Sequence, residues 1–93
     1  MKLTVLGGGG VRAPYLAKTL ALQSKQLALT EICFMDINEE KLTIYGGLAR
    51  AIAKKINPDL TISLTTSPRT ALTDATSLIP TLRVEGDAGR AFD

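Results

Sequence analysis

The residues in this chain best suited to chemistry are four consecutive glycines, Gly7, Gly8, Gly9 and Gly10, and one acid, Asp36. The glycines stand between an apolar β-like run, residues 2–6, and a helical pattern that opens near Pro14. A nucleotide pyrophosphate needs backbone N–H groups aimed at it, and side chains on the turn would block its approach. Glycines between a strand and a helix N-terminus supply the turn and the access, and the helix dipole favours the negative charge. Counted from Gly7, the run is G-x-G-x-x-Arg12; counted from Gly8, it ends on Ala13 and satisfies G-x-G-x-x-G/A. Both registers are open at this level, and so is a plain flexible hinge. Val11 and Arg12 complete the turn, and Arg12 suits either a bidentate phosphate contact or a solvated surface position.

Asp36 closes the next β-like run, residues 31–35, and lies 26 residues after Gly10. The usual spacing is about 20, so a long first helix is expected to take up the difference. A carboxylate at this point accepts hydrogen bonds from the ribose hydroxyls of adenosine and repels a 2′-phosphate, which selects NAD over NADP. The competing role is a solvated acid at a helix start. Cys33 falls inside the apolar run ICFM and reads as a small buried hydrophobe. Tyr15 and Tyr45 lie in helical patterns and read as packing residues.

These residues need a scaffold, and the chain alternates short β-like runs with helical patterns, as parallel sheets with crossover helices do. Strands are expected over residues 2–6, 31–35, 60–65 and 78–84. The first helix should bury Leu16, Leu20 and Leu27, leaving Gln23, Lys25 and Gln26 in water. Asn38 reads as the N-cap of a second helix, with Glu39 and Glu40 at the positive end of its dipole. That helix carries Leu42, Tyr45, Ala49, Ile52, Ala53 and Ile56 at helical spacing, and Asn57-Pro58 ends it. The Gly46-Gly47 pair weakens it locally and points to close helix–sheet packing. Ser67-Pro68 starts a short helix through Leu72. Right-handed crossovers then place the strands in the order 3-2-1-4. The expected architecture is α/β, a Rossmann-like half with about four parallel strands, occupying residues 1–93 as one NAD-binding domain. Pro80 confines the fourth strand to a sheet edge, and an exposed edge invites pairing into a homo-oligomer.

Bulk properties exclude several classes. A net charge of +2 with no Lys/Arg run argues against nucleic acid and membrane surfaces as partners. No stretch approaches the roughly 18 apolar residues of a membrane span, and the start of the chain does not read as a signal peptide. One cysteine fits a reducing cytoplasm. The absence of histidine excludes a His-ligated metal, a Ser-His pair or a Cys-His pair within these residues.

Three stretches, MKLTVLGGGGVRAP, ICFMDINEEKL and LRVEGDAGRAFD, together resemble the N-terminal segment of glycoside hydrolase family 4. Within that family the likeness is to 6-phospho-β-glucosidases, and it spans nearly the whole chain but only about the first fifth of a typical member. The resemblance implies an NAD- and divalent-metal-dependent glycosidase, Mn2+ being one such metal. Bound NAD would oxidise the sugar at C3, a base would take the C2 proton, and the aglycone would be eliminated. It implies that Gly7, Gly8, Gly9, Gly10, Val11 and Arg12 form the pyrophosphate turn and that Asp36 holds the ribose. It implies that Arg83 contacts the phosphate of a phosphorylated sugar glycoside, with Arg90 a weaker candidate.

The family's metal ligands and its tyrosine base fall beyond the residues matched here. No catalytic or metal residue is assigned, and Cys33 does not match the metal-ligand position. The chain departs from the family pattern at Asp74-Ala75-Thr76, at Pro80 and at Glu85-Gly86, where Glu85 adds negative charge beside the expected sugar-phosphate contact. The expectation is an NAD-binding segment, inactive alone, of truncated or variant origin. Two alternatives are a fragment of a malate- or lactate-dehydrogenase-like oxidoreductase and a non-catalytic oligomeric nucleotide-binding module.

Overall fold

Side-chain alternation along the strands decides what each face of the sheet can pack against. The computed structural model describes residues 1–7 and 10–80 of the chain. Strands β1 (Lys2–Leu6), β2 (Glu31–Met35), β3 (Thr61–Thr65) and β4 (Ser77–Pro80) form one sheet in the order β3-β2-β1-β4. All three pairings are parallel, as the expected crossovers require. The register aligns Leu3 with Ile32 and Ser77, Val5 with Phe34 and Ile79, and Ile32 with Ile62. Leu3, Val5, Ile32, Phe34 and Ile62 therefore share one face, and all five are buried in the main core. The opposite face carries Thr4, Cys33, Met35 and Ser63 and is more polar.

Helix α1 (Ala13–Leu22) and helix α3 (Gly47–Ile56) cover the apolar face. They meet each other through small residues, since Ala13, Ala17 and Ala21 of α1 are buried together with Ala49 and Ala53 of α3. Short side chains let the two helices lie close while Leu20 and Leu42 fill the space over the strands. The polar face is crossed by α4 (Pro68–Leu72), which Ser67 caps by accepting a hydrogen bond from Thr70 N–H at 3.2 Å. The buried Thr4 hydroxyl donates to Ala71 O at 2.6 Å, and Lys2 Nζ donates to Thr70 O and Thr73 O. These bonds tie the carbonyl end of α4 to β1 and satisfy polar groups on a face that apolar packing does not dominate.

Two expectations about the helices are corrected. The first helix does not run on to Leu27; it ends at Leu22, and Leu27 is 38% exposed. Ser24 explains the stop. Its hydroxyl donates to Ala21 O at 2.8 Å and accepts from Asn57 Nδ2 at 2.8 Å, so the chain turns there with the serine buried. Ala28 then adopts a left-handed φ of 56°, and Leu29 rather than Leu27 enters the core. The extra residues before Asp36 are absorbed by this turn, not by a long helix. Leu16 is only partly buried, leaving Leu20 as the one leucine of the expected face that is fully inside.

The second helix does begin after Asn38, whose Oδ1 accepts from Lys41 N–H at 2.9 Å. It is not regular, however: α2 (Glu39–Lys41) passes through a π-helical turn (Leu42–Gly46) before α3. The two glycines divide their roles. A Cβ on Gly46 would lie 2.9 Å from Leu64 Cδ2 and 3.3 Å from Leu42 Cδ1, so the helix backbone packs directly on β3 at this point. A Cβ on Gly47 would meet nothing within 4 Å. Gly47→Ala is therefore expected to raise stability by about 0.5–1 kcal/mol through the unfolded chain and helix propensity. Gly46→Ala should forfeit that gain, because the methyls of Leu64 and Leu42 must move. Thermal melts of the two variants check the order, and equal stabilisation would refute the close approach at Gly46.

β3 begins at Thr61, one residue later than expected, with Leu60 buried just ahead of it. β4 begins at Ser77 and, among the described residues, pairs with β1 alone, Pro80 standing opposite Leu6, so the proline lies on an edge strand of the described sheet. The rest of the expected fourth strand, residues 81–84, lies outside the described residues. No helix among the described residues is long and apolar enough to cross a membrane.

Candidate functional site

The carboxyl ends of parallel strands are where open α/β sheets receive ligands, because crossover loops and helix N-termini converge there. In this chain β1 and β2 end level with each other, Leu6 opposite Met35. The ladder continues one step further, since Gly7 N–H donates to Met35 O at 2.8 Å. Gly7 is thereby set beside Asp36 despite the long stretch of sequence between them. The strand-2 end is tied onward to β3 by Asp36 N–H, which donates to Thr65 O at 3.2 Å.

Gly7 has a φ of 86°, a left-handed conformation that an L side chain adopts only under strain. The chain leaves β1 at this residue and bends toward α1, with Gly10 N–H donating to Gly7 O and Ala13 N–H donating to Gly10 O, both at 3.1 Å. Of the two registers the sequence leaves open, the sharp turn at the strand end falls on Gly7. Ala13, the first residue of α1, is buried against the sheet, which suits the small residue that ends the register counted from Gly8. Gly8 and Gly9 lie outside the described residues.

Arg12 occupies the N-cap of α1, is exposed, and makes no side-chain cap. Val11 is exposed beside it. A cationic residue thus stands at the N-terminus of α1, next to the glycine turn.

Asp36 is 5% exposed, and its Oδ1 accepts from Asn38 N–H at 3.0 Å. That bond holds the carboxylate over the turn that leads into α2. Ile37, between them, is 85% exposed. Beside this turn an open cleft of about 310 Å³ is lined by Glu39, Leu42, Thr43, Leu64, Thr65 and Thr66. Sequence reasoning missed the cleft. Its walls come from α2, the π-helical turn and β3, and its one sequence trace was the Gly46-Gly47 pair, of which Gly46 lets the helix sit on β3.

Cys33 is buried on the α4 side of the sheet with Met35 and Ala71, as expected of a small hydrophobe. Among the described residues no three His, Cys, Asp or Glu side chains cluster as a metal site requires. Tyr45 packs partly against the core, whereas Tyr15 is 71% exposed and does not serve the packing role expected of it. Arg83 and Arg90 lie outside the described residues, as do Glu85 and Gly86.

Comparison with known proteins bears on the same elements. The model of family 4 glycosyl hydrolases matches residues 2–93. A probable 6-phospho-β-glucosidase of Bacillus subtilis is 34% identical over 95 aligned positions, covering 100% of this chain and 22% of that protein. The structure of a 6-phospho-α-glucosidase from gut microorganisms, in complex with NAD and glucose-6-phosphate, superposes with a TM-score of 0.84 at 28% identity. It matches 92% of this chain and 20% of that one. The 6-phospho-β-glucosidase of Thermotoga maritima with manganese, NAD+ and glucose-6-phosphate superposes with a TM-score of 0.78 at 29% identity, matching 89% of this chain and 20% of that one. The chain therefore spans about a fifth of the length of the relatives it matches. With the family model matching residues 2–93 and a 6-phospho-α-glucosidase structure superposing on 92% of the chain, the chain belongs to family 4 of the glycosyl hydrolases.

Proposed function

We propose that this chain is the NAD-binding segment of a 6-phosphoglycosidase. The observation that carries the reading is the placement of Gly7, in a left-handed turn at the end of β1, beside the carboxylate of Asp36 at the end of β2. The residues present suit the cofactor. A side chain at Gly7 would strain the turn through which the chain enters α1, and glycines at this junction keep side chains out of a pyrophosphate's approach to the helix N-terminus. Asp36, already oriented by Asn38 N–H, has the chemistry to accept bonds from two ribose hydroxyls. Arg12 at the mouth of the turn adds a cation for the phosphates.

When bound, NAD supplies an oxidant for a sugar hydroxyl. The chain's own contribution is to bind and orient it: the turn of residues 7–12 holds the pyrophosphate, and Asp36 fixes the adenosine end. Arg83 is proposed to contact the phosphate of the sugar, which would make the substrate class 6-phosphorylated glycosides, as in the relatives. The described residues do not fit a metal, so no step is assigned to one here. The lone cysteine, buried and unpaired, suits a cytoplasmic setting. Among the described residues β4 is an edge strand of the sheet, which supports association between copies of the chain.

Calorimetric titration of NAD into the 93-residue chain tests the reading. Saturable heat in the micromolar-to-millimolar range is the expected result. Absence of heat at millimolar NAD would leave the glycine turn without its proposed ligand and the reading would fall.

A further inference from the structure

We infer that Glu39, acting together with the capped turn that follows Asp36, is a second determinant of selectivity for NAD over NADP. This rests on the proposed NAD site and deepens it. The reasoning starts from where a 2′-phosphate would have to go. A ribose held at the Asp36 carboxylate carries its 2′-oxygen at that carboxylate, and a phosphate on it is one bond further out. The residues flanking Asp36 are the ones such a phosphate would meet.

Three observations make that surroundings hostile to a dianion. Asp36 Oδ1 accepts Asn38 N–H at 3.0 Å, so this N–H is turned to the carboxylate and not outward. Asn38 Oδ1 accepts Lys41 N–H at 2.9 Å, which occupies a second N–H at the start of the helix. Helix N-termini attract phosphate through such N–H groups, so capping them removes part of the attraction. The third observation is the cleft itself. It adjoins Asp36 through Thr65, whose carbonyl accepts Asp36 N–H, and among the described residues its lining holds no Lys or Arg. Among the described residues the one charged side chain in that lining is Glu39, in the first turn of α2.

The Thr43 hydroxyl already donates to Glu39 O and the Thr65 hydroxyl already accepts Ser67 N–H, but each keeps a second hydrogen-bonding capacity that, with Thr66, suits an uncharged hydroxyl, whereas Glu39 opposes a phosphate. A unit charge and a doubly charged phosphate about 6 Å apart in water, partly screened at physiological salt, should change affinity about three- to tenfold.

The test measures NAD+ and NADP+ binding to the 93-residue chain by calorimetry for the wild type, Glu39→Gln and Glu39→Arg. Glu39 is exposed at the helix start, so circular dichroism should show both variants folded as the wild type. The expected result is that Glu39→Gln tightens NADP+ about three- to tenfold and leaves NAD+ within about twofold, with Glu39→Arg shifting the ratio further. The gain should shrink in 1 M salt, which a purely structural effect would not do. An unchanged NAD+/NADP+ ratio in Glu39→Gln, or NADP+ still undetectable with Glu39→Arg, overturns the inference while NAD binding stands. Failure of the wild type to bind NAD+ overturns both.

Discussion

Replacing Asp36 by alanine is expected to weaken NAD binding at least about a hundredfold while leaving the chain folded. The proposed carboxylate accepts two hydrogen bonds from ribose hydroxyls, and bonds to a charged acceptor contribute about 1.5–3 kcal/mol each. Losing both removes at least about 3 kcal/mol, and every 1.4 kcal/mol is a factor of ten. The cost to the fold is smaller. The carboxylate also accepts Asn38 N–H, but Asn38 is exposed and water can replace that bond. A loss of about 1.5–3 kcal/mol in stability is expected for the bond from Asn38 N–H, a typical value for a hydrogen bond to a charged group. Calorimetry with a parallel thermal melt separates the two effects. NAD affinity within threefold of the wild type would show that Asp36 only organises the turn into α2. Asp36→Asn keeps an acceptor for Asn38 N–H but loses the charge, so its affinity should fall between the two.

Phe34→Ala should bring the chain close to unfolding, with a loss of about 3–5 kcal/mol from the emptied volume and the lost transfer energy. Phe34 is 0% exposed on the apolar face of β2 and is among the largest fully buried side chains. Domains of this size hold about 5–15 kcal/mol in total, and small ones sit near the lower end. Chemical denaturation should show a midpoint displaced strongly toward zero, or no cooperative transition. NAD then gives a diagnostic rescue. A ligand that binds only the folded state at a hundred times its Kd adds about 2.7 kcal/mol, which should restore much of the transition. A variant that unfolds like the wild type would mean the core is not organised around β2. Rescue failing in Phe34→Ala while the wild type binds NAD would show that the strand also shapes the site.

The two variants probe one strand from opposite directions, and the reason lies in the period of two along β2. Ile32 and Phe34 face the helices, while Cys33 and Met35 face α4. The next residue in the chain, Asp36, leaves the pairing with β1 and arrives at the carboxyl edge with its carboxylate close to the turn. Core packing thus fixes the height of β2 in the sheet, and that height decides whether Asp36 stands level with Gly7.

Much of this was legible in the residues themselves. Strand limits at Leu6 and Met35 follow from an apolar run meeting a glycine or an acid, and these are local signals. The caps at Asn38 and Ser67 were equally readable, because a short side-chain oxygen beside an open helix start can satisfy its N–H groups without help from elsewhere. The strand order followed from handedness alone. The end of α1 was not legible. Its apolar spacing continued to Leu27, but Ser24 is buried by a bond from Asn57, which is distant in sequence.

By its sequence alone, then, this protein is determined to be a β-α-β-α-β-α-β chain with a glycine turn after one strand and an acid after the next. Those properties rest on local sterics, short-range hydrogen bonds and hydrophobic period. Only the tertiary structure decides that Gly7 takes a left-handed turn at the strand end, and that Asp36 stands beside it. It also decides that Gly46 lets the helix rest on Leu64 and that Glu39 lines the resulting cleft. Register between parallel strands and the approach of a helix to a sheet depend on packing between residues far apart in the chain, and no window of sequence contains both partners.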